Sequence, residues 1–419
     1  MRLHKPSGFT LIELMVALMI ASILTLVALP AAKEALRQHT VTRNAEVVRQ
    51  YFLNARAQAI RQNRPFGVVL KRTATDGVGA NYCKQMSFAT GVPTYSGDSV
   101  SSVAYVVSYT ASTNVYVLFF PSTGPNLSAR MHRDATSFND ASLTAEQRNR
   151  VVIRDGALIT LDEDFGPMQV GRIRTGTLNV GGTNLDGTFM DVAYPWPNSP
   201  PLNKSLPLTA GPNYSSVPFE IKGFPQQSFL PSVNLSGDAV VDLSVSGIGT
   251  AGLQFNREII GCDGTTTPYA DAGFDQVMIM FDGQGDLDEV IYEQRDTTAS
   301  IYRMVGRQSI GTIYVAIGRA DGVEELENVD TFDTAELYKG QLPNYANPET
   351  IWVTVRGNSG AVGMSPQPPA VEDKASYYTA RTLSPPSGVD CALRQSQVDI
   401  LTQRVIDGRR LARSGRSVK

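Results

Sequence analysis

The run FTLIELMVALMIASILTLVALP, Phe9–Pro30, constrains this chain more than any other stretch. It is apolar except for Thr10, Glu13, Ser22 and Thr25. A helix built from it has no polar face to turn to water, so it needs lipid or other helices around it. It is about long enough to cross a bilayer. Glu13 sits near its start, where a bilayer carboxylate costs roughly 2.5–3.5 kcal/mol. An acid kept in such a place has a partner and a function.

A plain transmembrane anchor, or a secretory signal cut at AlaLeuProAlaAla, accounts for the apolar run but leaves Glu13 unexplained. The stretch KPSGFTLIELMVALMIASILTLVALP resembles the type IV prepilin signal of pilins and pseudopilins. That pattern is a short basic leader ending in Gly, then Phe, a Thr-Leu-Ile-Glu-Leu core, and a long apolar helix with a late Pro. Lys5, Gly8, Phe9, Glu13 and Pro30 supply each element. The resemblance implies cleavage by prepilin peptidase between Gly8 and Phe9, with methylation of the new amino group on Phe9. It also implies that Glu13 pairs with the N-terminal amine of a neighbouring subunit. Two charges in apolar surroundings are each costly alone, and pairing relieves both. Arg2 and Lys5 would hold the leader, residues 1–8, on the cytoplasmic side. The implied location is the inner membrane, single-pass through 9–30, with the body in the periplasm or on an extracellular filament.

The helical pattern continues to residue 64. Val48, Phe52, Ala55 and Ala59 fall on one face, broadened by Val47, Tyr51 and Ile60, so this half needs a sheet to cover it. A helix over Thr10–Gln62 would run roughly 80 Å. Pro30 could bend it, and Asn63-Arg64-Pro65 ends it. Seven Lys/Arg (Lys33, Arg37, Arg43, Arg49, Arg56, Arg61, Arg64) against Glu34 and Glu46 have two readings, a solvated helix face and a contact for anionic headgroups or an acidic neighbour. The junction NARAQAIRQNRPFGVVL is similar to that of H-type pseudopilins of type II secretion and FimT-like minor pilins, through Arg56, Ala59, Ile60, Asn63 and Pro65.

Residues 65–364 read as a β-rich body. Predicted strands are 66–71, 103–109, 115–120, 151–161, 239–245, 276–280, 289–293, 300–306, 312–317 and 351–355, rich in Val, Ile, Tyr and Phe and bounded by turn residues. Charged residues are sparse at 18%, and 36 Gly and 24 Pro favour sheet and turns over a bundle. No strand–helix alternation points to a parallel sheet. The expected fold class is α+β: a long N-terminal helix on an antiparallel sheet with long loop insertions. VVDLSVSGIGTAGLQF, VMIMFDGQGDLDEVIY and IWVTVRGNSGAVGM resemble the late strands of H-type pseudopilins. A Pro-, Ser- and Asn-rich insertion is expected near 181–231, and a short helix at Ser142–Asn149. Residues 365–387 read as a Pro-rich linker. Residues 388–419 read as a helix with Val398, Leu401, Val405 and Ile406 on one face, then a basic tail from Arg409 onward. The two readings of that tail are a solvated end and a contact for an anionic surface.

Signals of enzymatic chemistry are weak. Gly247–Gly252 matches GxGxxG, but no helix opens at the glycines, so a turn is expected. Asp282, Asp286 and Asp288 are weak calcium candidates, because Leu287 stands where a calcium loop needs Gly. GlyAsnSerGly at 357–360 lacks the last Gly of a nucleophile elbow. His4, His39 and His132 leave a catalytic or zinc site dependent on His132. Cys83, Cys262 and Cys391 are too widely spaced for metal knuckles. They are compatible with one disulfide and one free thiol in an exported body. The net charge of −3 gives no expectation of specific nucleic-acid binding.

The expected function is a minor pilin or pseudopilin subunit, not an enzyme and without a required cofactor. Its expected partners are prepilin peptidase, other pilin subunits, the inner membrane and the filament assembly machinery. The bulky body suits a tip or low-abundance subunit. The alternative is a membrane-tethered adhesin or ligand-binding module that uses the same signal.

Overall fold

The computed structural model describes residues 11–74, 78–110, 115–124, 128–140, 142, 147, 151–162, 165–193, 213–250, 252–256, 275–296, 301–308, 311–323, 343–345 and 347–367. Near the C-terminus it describes 405–406, 408–410 and 412–413. A single helix, α1 (Leu11–Gln62), passes unbroken through Pro30. It stops where Asn63 takes a positive φ of 47° and the Arg64 amide donates back to the Ala59 carbonyl. Pro65 follows and begins the extended chain, as expected from the sequence.

The strands that follow are β1 (Phe66–Arg72), β2 (Tyr82–Thr90), β3 (Ala104–Thr110), β4 (Val115–Pro121), β5 (Leu158–Leu161), β6 (Phe165–Val180), β7 (Thr183–Ala193), β8 (Ser215–Val217) and β9 (Phe219–Lys222). After them come β10 (Gln226–Gln227), β11 (Val233–Asn234), β12 (Ala239–Ile248), β13 (Gln276–Phe281), β14 (Leu287–Asp296), β15 (Ile301–Gln308), β16 (Ile313–Arg319), β17 (Ile351–Val355) and β18 (Val362–Pro366). They form two antiparallel sheets, which makes the fold α+β. The larger runs β15-β14-β13-β1-β2-β12-β16-β17-β18, with β10 and β11 also paired to β2. The smaller runs β8-β3-β4-β7-β6-β5-β9 and draws all its strands from residues 104–222.

The larger sheet is buried on both faces. Phe66, Val68 and Leu70 of β1, Val277, Ile279 and Phe281 of β13, and Ile313, Val315 and Ile317 of β16 pack with Val41, Ala45, Val48, Phe52, Ala55 and Ala59 of α1. The alternate residues Val69, Met278 and Met280 face the other way, into a core shared with the smaller sheet. Further along that second face, Tyr314, Ala316 and Trp352 pack with Val405 and Ala412. Burial on both sides explains why β13, β16 and β17 read as continuous apolar runs rather than alternating ones. β12 is irregular between Asp242 and Gly247. The irregularity shifts the alternation, so Val241 and Leu243 face the helix while Val245 faces away from it.

Several sequence expectations change. Strand 151–161 shortens to β5, because Arg154–Ala157 forms a turn with Gly156 at a φ of 84°. The polar segment carries α2 (Ala129–Phe138), while 142–149 lies outside the described residues except for 142 and 147. Met131 and Ala135 of α2 reach the core of the smaller sheet. The insertion expected near 181–231 begins as β7, which pairs along its length with β6 as a long hairpin. Gly181 and Gly182 at its tip have φ of 58° and 85°. Its Pro-rich part, 194–212, lies outside the described residues. Cys83 is free and buried, and burial pushes its thiol up to about 12. Cys262 and Cys391 lie outside the described residues.

Candidate functional site: the N-terminal helix and its seat

The half of α1 that precedes the body is apolar and uncovered. Its large side chains are exposed from Leu11 (79%) to Leu26 (78%). The hydroxyls in this stretch are satisfied within the helix: Ser22 Oγ donates to the Leu18 carbonyl and Thr25 Oγ1 to the Ala21 carbonyl, both at 2.7 Å. Glu13, in the first turn, is the single ionisable side chain between 11 and 26. Gly8 and Phe9 lie outside the described residues. Among the described residues no helix is long and apolar enough to cross a membrane. The crossing expected over 9–30 lies only in part within the described side chains. The side chains described within it, 11–26, fall short of the roughly 20 residues a bilayer requires.

The other half is fastened by specific contacts as well as by its apolar stripe. Asn44 Oδ1 accepts the Ser236 amide at 2.9 Å, and Asn44 Nδ2 donates to the Ser236 carbonyl at 3.2 Å. Tyr51 stacks on Phe88 with ring centres 4.0 Å apart, and its hydroxyl donates to the Pro231 carbonyl. Arg56 Nε donates to the Gly285 carbonyl at 2.9 Å. Two motifs singled out separately in the sequence therefore meet, since Arg56 belongs to the junction and Gly285 to the FDGQGD turn. Gly360 closes the seat. It has a φ of 53°, and a Cβ there would lie 1.8 Å from the Gly285 carbonyl oxygen. Only glycine fits such an approach.

The three acids weighed for calcium part company. Asp282 Oδ1 accepts the amides of Gln284 and Asp286, both at 2.9 Å, and so builds its own turn. Asp288 faces Lys222, with Oδ2 and Nζ 2.7 Å apart. No group of three or more His, Cys, Asp or Glu is gathered for a metal among the described residues. His132 lies on α2. The GxGxxG glycines form the expected turn: the Gly249 amide donates to the Thr312 carbonyl at 2.8 Å, and Gly249 has a φ of 75°.

Three polar features escaped the sequence reading. Lys222 of β9 bridges to Asp288 and Glu289 of β14 and so links the two sheets. Buried Asp242 accepts from the Ser244 amide, the Ser244 hydroxyl and Asn344 Nδ2. Burial pushes its carboxyl up to about 6 against those hydrogen bonds. Arg409, placed in a basic tail by sequence, is fully buried at 0% exposure. A basic run reads as a solvated end unless the apolar residues around it are known to pack. Val405 at i−4 was the only cue, and its partner face is formed by strands far away in the chain.

Residues 3–29 match the family model described as the prokaryotic N-terminal methylation motif. No curated protein and no solved structure matches the chain. The chain thus carries a type IV prepilin-like signal at the head of a helix seated on a β body. The motif points to a structural subunit rather than an enzyme, and to a membrane-anchored or filament-associated protein.

Proposed function

We propose that the chain is a minor pilin or pseudopilin of a type IV filament or a type II secretion-like system. Prepilin peptidase removes residues 1–8 between Gly8 and Phe9. The helix stays in the inner membrane until assembly, and Glu13 then pairs with the amine of a neighbouring subunit. One observation carries this reading: the matched signal heads a helix whose first half is exposed and apolar while its second half is fixed to the body. A surface of that kind is stable only in lipid or against other helices. The residues between the prepilin motif and the seat lie on one continuous helix, so a subunit held through its first half carries its body with it. The second sheet adds bulk that would crowd a repeating lattice, which favours a tip or low-abundance position.

The test has two parts. The protein is co-expressed with a prepilin peptidase and its mature N-terminus read by mass spectrometry. A start at Phe9, one methyl heavier, is expected, and any other start removes the proposal. Glu13→Ala is then followed into sheared filaments. Loss of incorporation with unchanged membrane levels supports assembly through the helix. Unchanged incorporation favours a tether for an adhesin or ligand-binding module.

A further inference from the structure

The hairpin β6–β7 runs past the sheet that holds it. β4 pairs with β7 only as far as Gly187, and β5 pairs with β6 only as far as Gln169. Beyond those points the two strands pair with each other alone and close in the two-residue turn Gly181-Gly182. The turn fixes which backbone groups face outward. Val180 and Thr183 flank it and exchange hydrogen bonds, so alternate residues back along β6 point their amides and carbonyls away from β7. Those residues are Thr175, Thr177 and Asn179. Two side contacts agree with this. The Ser122 amide reaches the carbonyl of Asp186, the cross-strand partner of Thr177, from the outer side of β7 at 2.8 Å. On the outer side of β6, Asn139 Nδ2 reaches the Ile173 carbonyl at 3.1 Å.

The residue after α2 thus closes this edge as far as Ile173. Further along, Thr175, Thr177 and Asn179 are exposed, and no described strand lies beside them. Proteins blunt such edges with Lys, Pro, bulges or a covering element. Thr175–Asn184 contains no charged residue and no Pro, and its pairing is regular. One face of the ribbon is polar: Thr177 Oγ1 donates to Asp186 Oδ1 and Asn179 Nδ2 to Asn184 Oδ1, both at 2.7 Å. The other face carries the half-buried Leu178, Val180 and Leu185. A two-stranded ribbon is marginal in water by itself, and further strands along its edge stabilise it.

We propose that this edge pairs with the same edge of a second copy, antiparallel about a two-fold axis at Thr177, giving a four-stranded sheet β7-β6-β6-β7. The edge is self-complementary in that register. Thr177 falls opposite Thr177 of the second copy, and Thr175 opposite its Asn179, so every outward group meets a partner and about six backbone hydrogen bonds form. On the apolar face Leu178 falls opposite Gly176. Val180 falls opposite Arg174, whose charge Asp191 holds at 2.8 Å. No like charges meet. Moving the axis by one residue leaves an outward residue opposite Ile173, which Asn139 already occupies, or opposite the turn. The residue that passes Ile173 is Gly181, which brings no side chain against α2. The contact joins two bodies through their smaller sheets and makes no use of α1, so it does not rest on assembly through Glu13.

The test is sedimentation velocity of the full-length protein in excess detergent over a range of concentrations. A reversible dimer is expected. Thr177→Val leaves the backbone unchanged and should keep it. Thr177→Pro removes the central amide, which has no partner within the subunit, so the fold is kept while association weakens at least about tenfold. Thr177→Lys sets two like charges face to face on the axis and serves should the proline variant lose its fold by circular dichroism. The register is read by oxidation with copper phenanthroline, counted above the unaltered chain. In Thr177→Cys the paired α-carbons stand about 5.5 Å apart, within disulfide reach. In Asn184→Cys they are separated by the width of both β6 strands. Covalent dimer from the first variant and not the second is expected. A monomer at every concentration overturns the proposal. A dimer that the folded proline or lysine variant leaves unchanged runs through another surface and overturns it too. Equal cross-linking of the two cysteine variants refutes the register and the proposal with it.

Discussion

Replacing Glu289 with Gln should change how stability depends on pH, with a predictable sign. Glu289 lies on β14 between the two sheets and is only 5% exposed. Lys222 Nζ from β9 stands 3.5 Å from its carboxylate and 2.7 Å from that of Asp288. Burial pushes the Glu289 carboxyl from its ordinary 4.5 up to about 7, against the pull of Lys222. Lys222 is raised as well: burial lowers its pKa, but the neighbouring Glu289 and Asp288 more than offset this. The lysine therefore stays charged from pH 4 to 8, and the carboxyl governs that window. Between about 4.5 and 7 the folded chain holds a proton that the unfolded chain has released, so stability falls as pH rises. The gap corresponds to roughly 3 kcal/mol, lost by pH 8. A glutamine at this position keeps the shape and cannot ionise. The stability of the Glu289→Gln variant minus that of the wild type should therefore rise by roughly 3 kcal/mol between pH 4.5 and 8. Urea unfolding followed by tryptophan fluorescence at several pH values measures this difference. A flat difference would mean that Glu289 is not desolvated between the sheets. A falling difference would mean that the ion pair outweighs burial, and either result refutes the reasoning.

Phe52→Ala removes a fully buried ring between α1 and the larger sheet and should cost about 3–5 kcal/mol in chemical denaturation. Asp242→Ala leaves the Ser244 amide, the Ser244 hydroxyl and Asn344 Nδ2 facing a void; a loss of about 2–4 kcal/mol is expected from the same assay. Gly360→Ala forces a Cβ onto the Gly285 carbonyl that Arg56 binds. It should lower the melting temperature, with a cost of at least about 1–3 kcal/mol. Cys83, with its thiol pushed up to about 12 from 9.0, should resist an aromatic disulfide reagent at pH 8 in the native state and react promptly in urea. Prompt native reaction would place it at the surface.

How much of this protein was legible in advance depended on whether the cause was local. The end of α1 was readable because Asn63 and Pro65 act on their own backbone. β1, β4, β13 and β17 were readable because β-branched and aromatic runs between turn residues fit few other conformations. β2, β6 and β7 were missed. Their residues mix Gly, Thr, Asn and Lys among the apolar ones, and they become strands by pairing with β1, β4 and each other.

By itself the sequence determined the prepilin-like signal, the long helix, the antiparallel α+β class and the turn at Gly247–Gly252. Each rests on residues adjacent in the chain or on one helical face. Only the tertiary structure decided that a second sheet covers the far face of the first, that Lys222 is shared with Asp288 and Glu289, and that Arg409 is a core residue. These depend on partners brought together from distant parts of the chain. Arg409 and the carbonyls it binds are more than 150 residues apart, as the separations of 157, 160 and 164 show. No periodicity reports such a pairing, because the energy that buries the charge exists only once the carbonyls and rings have converged.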